Sequence, residues 1–217
     1  MNIMKLRMSG KKFRWGLAIL FLVWSAPVSG APLTPLAQVQ GTVQAILAIM
    51  QDPALGTPAN KELRRDRIMA LVDERFDFAE MAKLTLARNW KARSREEKDE
   101  FQKLFADLLK HNYIGRIEAY SDEKVEYAKE LFSQNNKKQA RVYTIILKNG
   151  HKIPINYSLL EKGDEWFVYD VVIEGVSLVR NYRTEFDRII NKEDFPGLVK
   201  RMREKIESNE ASDGANK

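Results

Sequence analysis

The sequence predicts an α+β fold, with helices packed on one face of a four-stranded antiparallel sheet. Three observations lead there. Apolar residues recur at helical spacing up to Tyr120, switch to strict alternation from Val125, and return to helical spacing after Ser177. Asn149-Gly150, inside the alternating stretch, is a strong signal for a tight type I′ hairpin. No repeat, low-complexity segment or linker divides the chain.

Residues 1–30 read as a secretory leader. Lys5, Arg7, Lys11, Lys12 and Arg14 precede an apolar run from Trp15 to Trp24, and Val28-Ser29-Gly30 suits cleavage before Ala31. The run is shorter than the roughly 20 residues a membrane helix needs, with an uncleaved anchor as the alternative reading. Residues 31–207 are then expected to form a single domain, with 208–217 a disordered tail lacking any apolar pattern.

The first mature helix is expected over Leu36–Met50, between Pro-rich ends. A second spans Leu63–Phe76, with Leu63, Arg67, Met69–Leu71 and Phe76 mixing apolar and basic positions. A third is capped by Asp77, with Glu80 three residues on and Phe76 and Met81 at the hydrophobic-staple positions. The fourth opens on a Ser94/Glu97 capping box. It then carries Phe101, Leu104, Phe105, Leu108, Leu109, Tyr113, Ile117 and Tyr120 on one broad apolar face.

Strands follow at Val125–Phe132 and Ala140–Lys148. A two-residue loop at Asn149-Gly150 sets Lys148 opposite His151, and so Ile146 opposite Ile153, Thr144 opposite Ile155 and Val142 opposite Tyr157, all on the drier face. Gly163-Asp164 turns the chain into Trp166–Ile173. A two-residue loop there puts Val168, Asp170 and Val172 on the dry face. A one-residue bulge puts Phe167, Tyr169, Val171 and Ile173 there, and is preferred because it keeps Asp170 off that face. Two helices close the chain, one with Leu178, Tyr182, Phe186 and Ile189, the other over Phe195–Ile206.

Composition excludes several chemistries. The 217 residues hold no Cys and two His, which removes disulfide scaffolds, thiolate zinc sites, iron–sulfur clusters, Cys nucleophiles and multi-His metal sites. The net charge of +6 shrinks without the leader, which takes five basic residues and no acidic ones. The remaining 31 basic and 30 acidic residues give +1, and no nucleic-acid footprint is left. Export without Cys fits the periplasm or cell surface.

No catalytic motif accompanies His111 or His151. Asp170, on a mostly apolar strand beside Tyr169, reads either as a base in a cavity or as a polar partner for a helix N-terminus or an Arg. The charge-rich stretches Glu62–Arg67, Arg93–Lys98 and Arg201–Lys205 read as solvated helix faces. The surplus of large apolar side chains fits an ordinary core or a cavity for an apolar ligand, and pattern does not separate the two.

Two motifs add a resemblance. Phe76-Asp77-Phe78 with Met81, Trp90, Phe101, Phe105 and Tyr113 is one. Asp170-Val171-Val172-Ile173-Glu174-Gly175-Val176-Ser177-Leu178-Val179, continuing through Asn181-Tyr182-Arg183 to Phe186, is the other, longer and more specific. Over about 62–206 the chain resembles the Mla-type (maintenance of lipid asymmetry) periplasmic phospholipid-binding proteins, also called the toluene-tolerance auxiliary family. It departs at Ala87, where a Gly commonly stands.

The resemblance implies an NTF2-like cone with an apolar cavity and no enzymatic activity, catalytic residue, metal or cofactor. It implies a soluble carrier with diacyl phospholipid as cargo, tails inside and headgroup towards solvent. The carrier would shuttle between an outer-membrane lipoprotein–porin complex and the substrate-binding ring of an inner-membrane ABC transporter. Tail contacts are expected from the fourth helix (Phe101, Leu104, Phe105, Leu108) and the sheet (Val142, Ile146, Ile155, Tyr157). The preferred bulge adds Val171, Ile173 and Val176, and Leu178 and Tyr182 would close the wall. Arg180 and Arg183 are the headgroup candidates, against a solvated helix face. An exported NTF2-like enzyme using Asp170, and a ligand-free structural adaptor, are the alternatives.

Overall fold

The computed structural model describes residues 33–119 and 123–215. The expected leader, its cleavage point and Tyr120 lie outside the described residues. Among those described, no helix is long and apolar enough to cross a membrane.

Helix α1 (Pro35–Gln51) starts where Thr34 Oγ1 accepts a hydrogen bond from the Ala37 N–H at 3.1 Å, with proline as its first residue. Helix α2 (Lys61–Arg75) buries Ile68 and Val72, one turn apart, and leaves Leu63 exposed. Asp77 Oδ1 caps α3 (Phe78–Leu86) by accepting from the Glu80 N–H at 3.1 Å. The capping box of α4 (Arg95–Glu118) is complete: Ser94 Oγ accepts from the Glu97 N–H, and Glu97 Oε2 accepts from the Ser94 N–H.

The sheet runs in chain order through β1 (Lys124–Phe132), β2 (Gln139–Lys148), β3 (His151–Lys162), β4 (Glu165–Ile173) and β5 (Val176–Ser177), all antiparallel. The β2–β3 register is the one Asn149-Gly150 dictates, with Val142 opposite Tyr157 and Ile146 opposite Ile153, and both turn residues at positive φ. The fifth strand exceeds the expected four. Glu174 and Gly175 take φ of 49° and 85°, making a second tight turn that folds Val176-Ser177 back onto β4.

The expected bulge on β4 exists, but in mid-strand rather than at the turn. Leu159 faces Val168 while Ser158 faces Asp170, so Tyr169 is the extra residue. Both candidate registers therefore hold, one on each side of it. Trp166 and Val168 share the dry face with Val171 and Ile173, whereas Phe167 and Tyr169 do not join them. Tyr169 packs against the helical cluster instead.

Helix α5 (Leu178–Ala215) is two helices in practice. Asp194, at φ 66°, interrupts it, and its Oδ1 accepts from the Gly197 N–H to restart the second part behind Pro196. The second part continues to Ala215, through most of the expected tail. Asn209 Nδ2 donates to Asn112 Oδ1 at 2.9 Å, tying it to α4.

Two apolar clusters result. Phe101, Phe105, Phe186, Leu198 and Met202 centre the first, among the helices. Val142, Ile155, Leu159 and Val168 centre the second, on the sheet. Phe76 and Tyr113 pack against both.

Candidate functional site: an apolar cavity beneath the sheet

A cavity of about 280 Å³ lies between the helices and the dry face of the sheet. Helix α1 contributes Val39, Thr42, Val43, Ile46 and Leu47, successive positions of one helical stripe. Met69 and Val72 come from α2, and Phe76, Phe78 and Met81 from the α2–α3 junction. Leu109, Tyr113 and Ile117 come from α4. The sheet adds Val125, Ile146, Ile155, Tyr157, Leu159, Trp166, Val168, Val171 and Ile173, and Leu178 completes the wall.

Two anchors hold the wall against the sheet. The Asp77 N–H donates to the Val168 carbonyl at 2.8 Å, and Asp77 Oδ2 lies 2.5 Å from Lys162 Nζ. Glu130 Oε2 accepts from the Leu36 N–H at 2.7 Å, fastening the start of α1 to the edge strand.

Six of the thirteen expected tail residues line this cavity: Ile146, Ile155, Tyr157, Val171, Ile173 and Leu178. Phe101, Phe105, Leu108 and Tyr182 are buried in the helical cluster, and Leu104 packs against it. Phe101 and Phe105 stack on each other and meet Phe186 edge-on. Val142 is fully buried under the sheet without reaching the cavity, and Val176 is 57% exposed on the added strand.

The cause is the breadth of the apolar arc on α4. At about 100° per residue, Phe101, Leu104, Phe105 and Leu108 occupy one side of that arc, and Leu109, Tyr113 and Ile117 the other. The first set meets α3 and α5, and the second meets the sheet side. The α1 stripe is legible as Val39, Val43, Ile46 and Leu47 in the sequence, but periodicity alone does not say that this face meets a cavity.

Charged side chains line the cavity or lie close to it in the chain. Arg75 donates to Glu165 and Glu74, and Gln38, in the amide orientation that satisfies both groups, accepts from Arg75 Nε at 3.2 Å. Lys110 Nζ donates to both carboxylate oxygens of Asp73, and Glu123 pairs with Lys148 at 3.1 Å. Arg64 and Arg65 converge on Glu118 at the end of α4, so these two residues of the Glu62–Arg67 stretch are packed while Glu62, Asp66 and Arg67 stay exposed. Arg116 sits over the Tyr113 ring, 5.3 Å from its centroid. Arg180 and Arg183 do not line the cavity, and Arg183 Nε donates to the Leu84 carbonyl.

Tyr157 places a hydroxyl in the apolar wall. Its ring is half-buried because the cavity itself exposes it, but protein surrounds the hydroxyl. Burial pushes that hydroxyl up to about 12, with Tyr127 adding to the rise and a hydrogen bond with Thr144 opposing it. Burial also raises Tyr113, against the pull of Arg116.

Asp170 does not line the cavity. Its Oδ2 accepts from Ser177 Oγ at 2.6 Å and its Oδ1 from the Val179 N–H at 3.1 Å, so the carboxylate serves the start of α5. His111 Nδ1 lies 2.8 Å from the Asp107 carbonyl, and His151 is exposed at the hairpin.

Fold and cavity define the class: an α+β protein built around an apolar chamber whose polar groups sit mostly at its rim. The chain belongs to the MlaC protein family, whose model matches residues 40–204. It is 33% identical over 124 residues to the intermembrane phospholipid transport system binding protein MlaC of Haemophilus influenzae. That match covers 55% of this chain and 57% of the relative, little more than half of its length. A solved phospholipid-binding protein from Ralstonia solanacearum, in complex with a phospholipid, shares the fold with a TM-score of 0.71 and 24% identity. The match covers 82% of this chain and 99% of that one.

Proposed function

We propose that this protein is a periplasmic phospholipid carrier, holding acyl tails in the cavity beneath the sheet. The apolar chamber, walled by α1, α2, α4 and four strands, is the observation that carries the reading. Family membership and the phospholipid-transport role of the Haemophilus relative agree with it. The partners proposed are an outer-membrane lipoprotein–porin complex and the substrate-binding ring of an inner-membrane ABC transporter. The protein acts by binding and release, with no bond made or broken and phospholipid as cargo rather than cofactor.

The energetics suit a carrier. Two tails of about 15 buried CH₂ each, at about 0.8 kcal/mol per CH₂, give roughly 24 kcal/mol of transfer from water. That exceeds the affinity ceiling of about 18–21 kcal/mol. A bilayer offers nearly the same gain, so exchange between membrane and protein is close to neutral. Tail residues proposed on the wall are Ile146, Ile155, Tyr157, Val171, Ile173 and Leu178, joined by Val43, Ile46, Tyr113 and Val168.

Native mass spectrometry of protein exported with its own leader and purified without detergent tests this. One diacyl phospholipid per chain is expected. A clean protein mass, unchanged after incubation with phospholipid vesicles, would overturn the reading.

A further inference from the structure

The charged groups on the cavity wall are Arg75, Lys110, Arg116, Glu123 and Glu174. Arg75 is engaged by Glu74 and Glu165, Lys110 by Asp73 and Asp107, and Glu123 by Lys148. Among the described residues, no carboxylate lies within ion-pair distance of Arg116, the one cavity-lining cation in that condition. Glu174, exposed on the β4–β5 turn, is not joined to it.

Position and preorganisation single Arg116 out further. It is exposed, yet it borders the chamber, so it stands where the cavity opens to solvent. Its guanidinium rests over Tyr113, one turn earlier on the same helix and itself part of the wall. Stacking orients the planar fork without using its N–H donors. A donor fork with no carboxylate partner among the described residues, at the mouth of an apolar chamber, matches an anionic group attached to an apolar tail.

We propose that Arg116, stacked on Tyr113, binds the phosphodiester of the cargo at the cavity mouth. The clamp rests on the carrier reading and deepens it: the site distinguishes a phosphate-bearing diacyl lipid from its neutral counterpart with the same tails. Arg116 donates two parallel N–H bonds to the phosphate oxygens, and the tails below are held by apolar contact alone.

The test uses the whole chain, wild type and Arg116→Gln, incubated with phosphatidylglycerol vesicles containing an equal mole fraction of diacylglycerol of identical chains. Each lipid retained per protein is counted by native mass spectrometry. Wild type is expected to favour the phospholipid by about tenfold, the scale of a charge-assisted hydrogen-bonded pair. Arg116→Gln should bring that preference near unity with diacylglycerol uptake unchanged, and Arg116→Lys should restore part of it.

A preference that persists in Arg116→Gln would overturn the clamp while leaving the carrier reading intact. Equal loss of both lipids in Arg116→Gln would mean a structural role and would also overturn it. Wild type taking neither lipid would sink the carrier reading itself, and the clamp with it. Inorganic phosphate, added in excess and followed by phosphorus NMR, should neither bind detectably nor displace the lipid. Binding at Arg116 as strong as the lipid's would reassign the site to free phosphate.

Discussion

Ser177 Oγ donates to Asp170 Oδ2 at 2.6 Å, and this bond joins the short β4–β5 hairpin to the first turn of α5. The Val179 N–H reaches Asp170 Oδ1 and the Arg180 N–H reaches Ser177 Oγ, both at 3.1 Å, so two side chains satisfy the start of the helix. Asp170→Ala should lower the unfolding free energy by about 2–3 kcal/mol in urea, and Ser177→Ala by about 1 kcal/mol. The double variant should lose less than the two combined, because the residues share a bond. An Asp170→Ala midpoint equal to wild type would refute this capping role.

Ala87 follows the last turn of α3 at φ 47° and ψ −114°, a conformation that penalises a Cβ. It is the position where the resembling family commonly has Gly, and nothing in its exposed surroundings needs the methyl. Ala87→Gly should therefore raise stability by about 1 kcal/mol. Thermal unfolding reads this directly, and a lower midpoint would show that the turn is not strained.

Core and cavity should respond differently to mutation. Phe101, fully buried in the helical cluster, should cost about 3–5 kcal/mol on truncation to Ala. Val43, half-buried on the α1 stripe, faces the chamber. Val43→Trp should reduce bound phospholipid at least severalfold, while its lipid-free form melts near lipid-free wild type. Full loading of folded Val43→Trp would argue against tails in this chamber.

Tyr157 predicts an alkaline limit. Folding raises its hydroxyl from an ordinary value near 10 to about 12, so the native state keeps a proton that the unfolded chain gives up. Its contribution is complete below pH 10 and is lost as pH climbs towards 12, on the order of 3 kcal/mol at the top of that window. Urea unfolding between pH 9 and 12 should show a shallower decline for Tyr157→Phe than for wild type. Parallel declines would mean that other groups set the limit.

The sheet was readable because its signals are local. Asn149-Gly150 fixes ten consecutive pairs of β2 and β3, and Ser94/Glu97 fixes the start of α4. The mid-strand bulge was half-legible. Asp170 had to leave the dry face, but nothing in the sequence says whether the extra residue falls at the turn or at Tyr169. The site was harder, because which half of a wide apolar arc meets a void depends on neighbouring elements. Phe101 and Phe105 were the largest apolar residues on α4 and went to the core, whereas Leu109, Tyr113 and Ile117 went to the chamber.

The chamber also bears on how long the protein survives. A void of about 280 Å³, at about 24 cal/mol per Å³, corresponds to as much as ~7 kcal/mol, less whatever water entering the mouth recovers. Whole domains commonly have only about 5–15 kcal/mol to lose. A cargo molecule seated there is thus a removable piece of the hydrophobic core, and the melting temperature becomes a gauge of occupancy. On the proposed carrier function, chains that have delivered their lipid would be the ones a protease finds open, and turnover would fall first on those that travel empty.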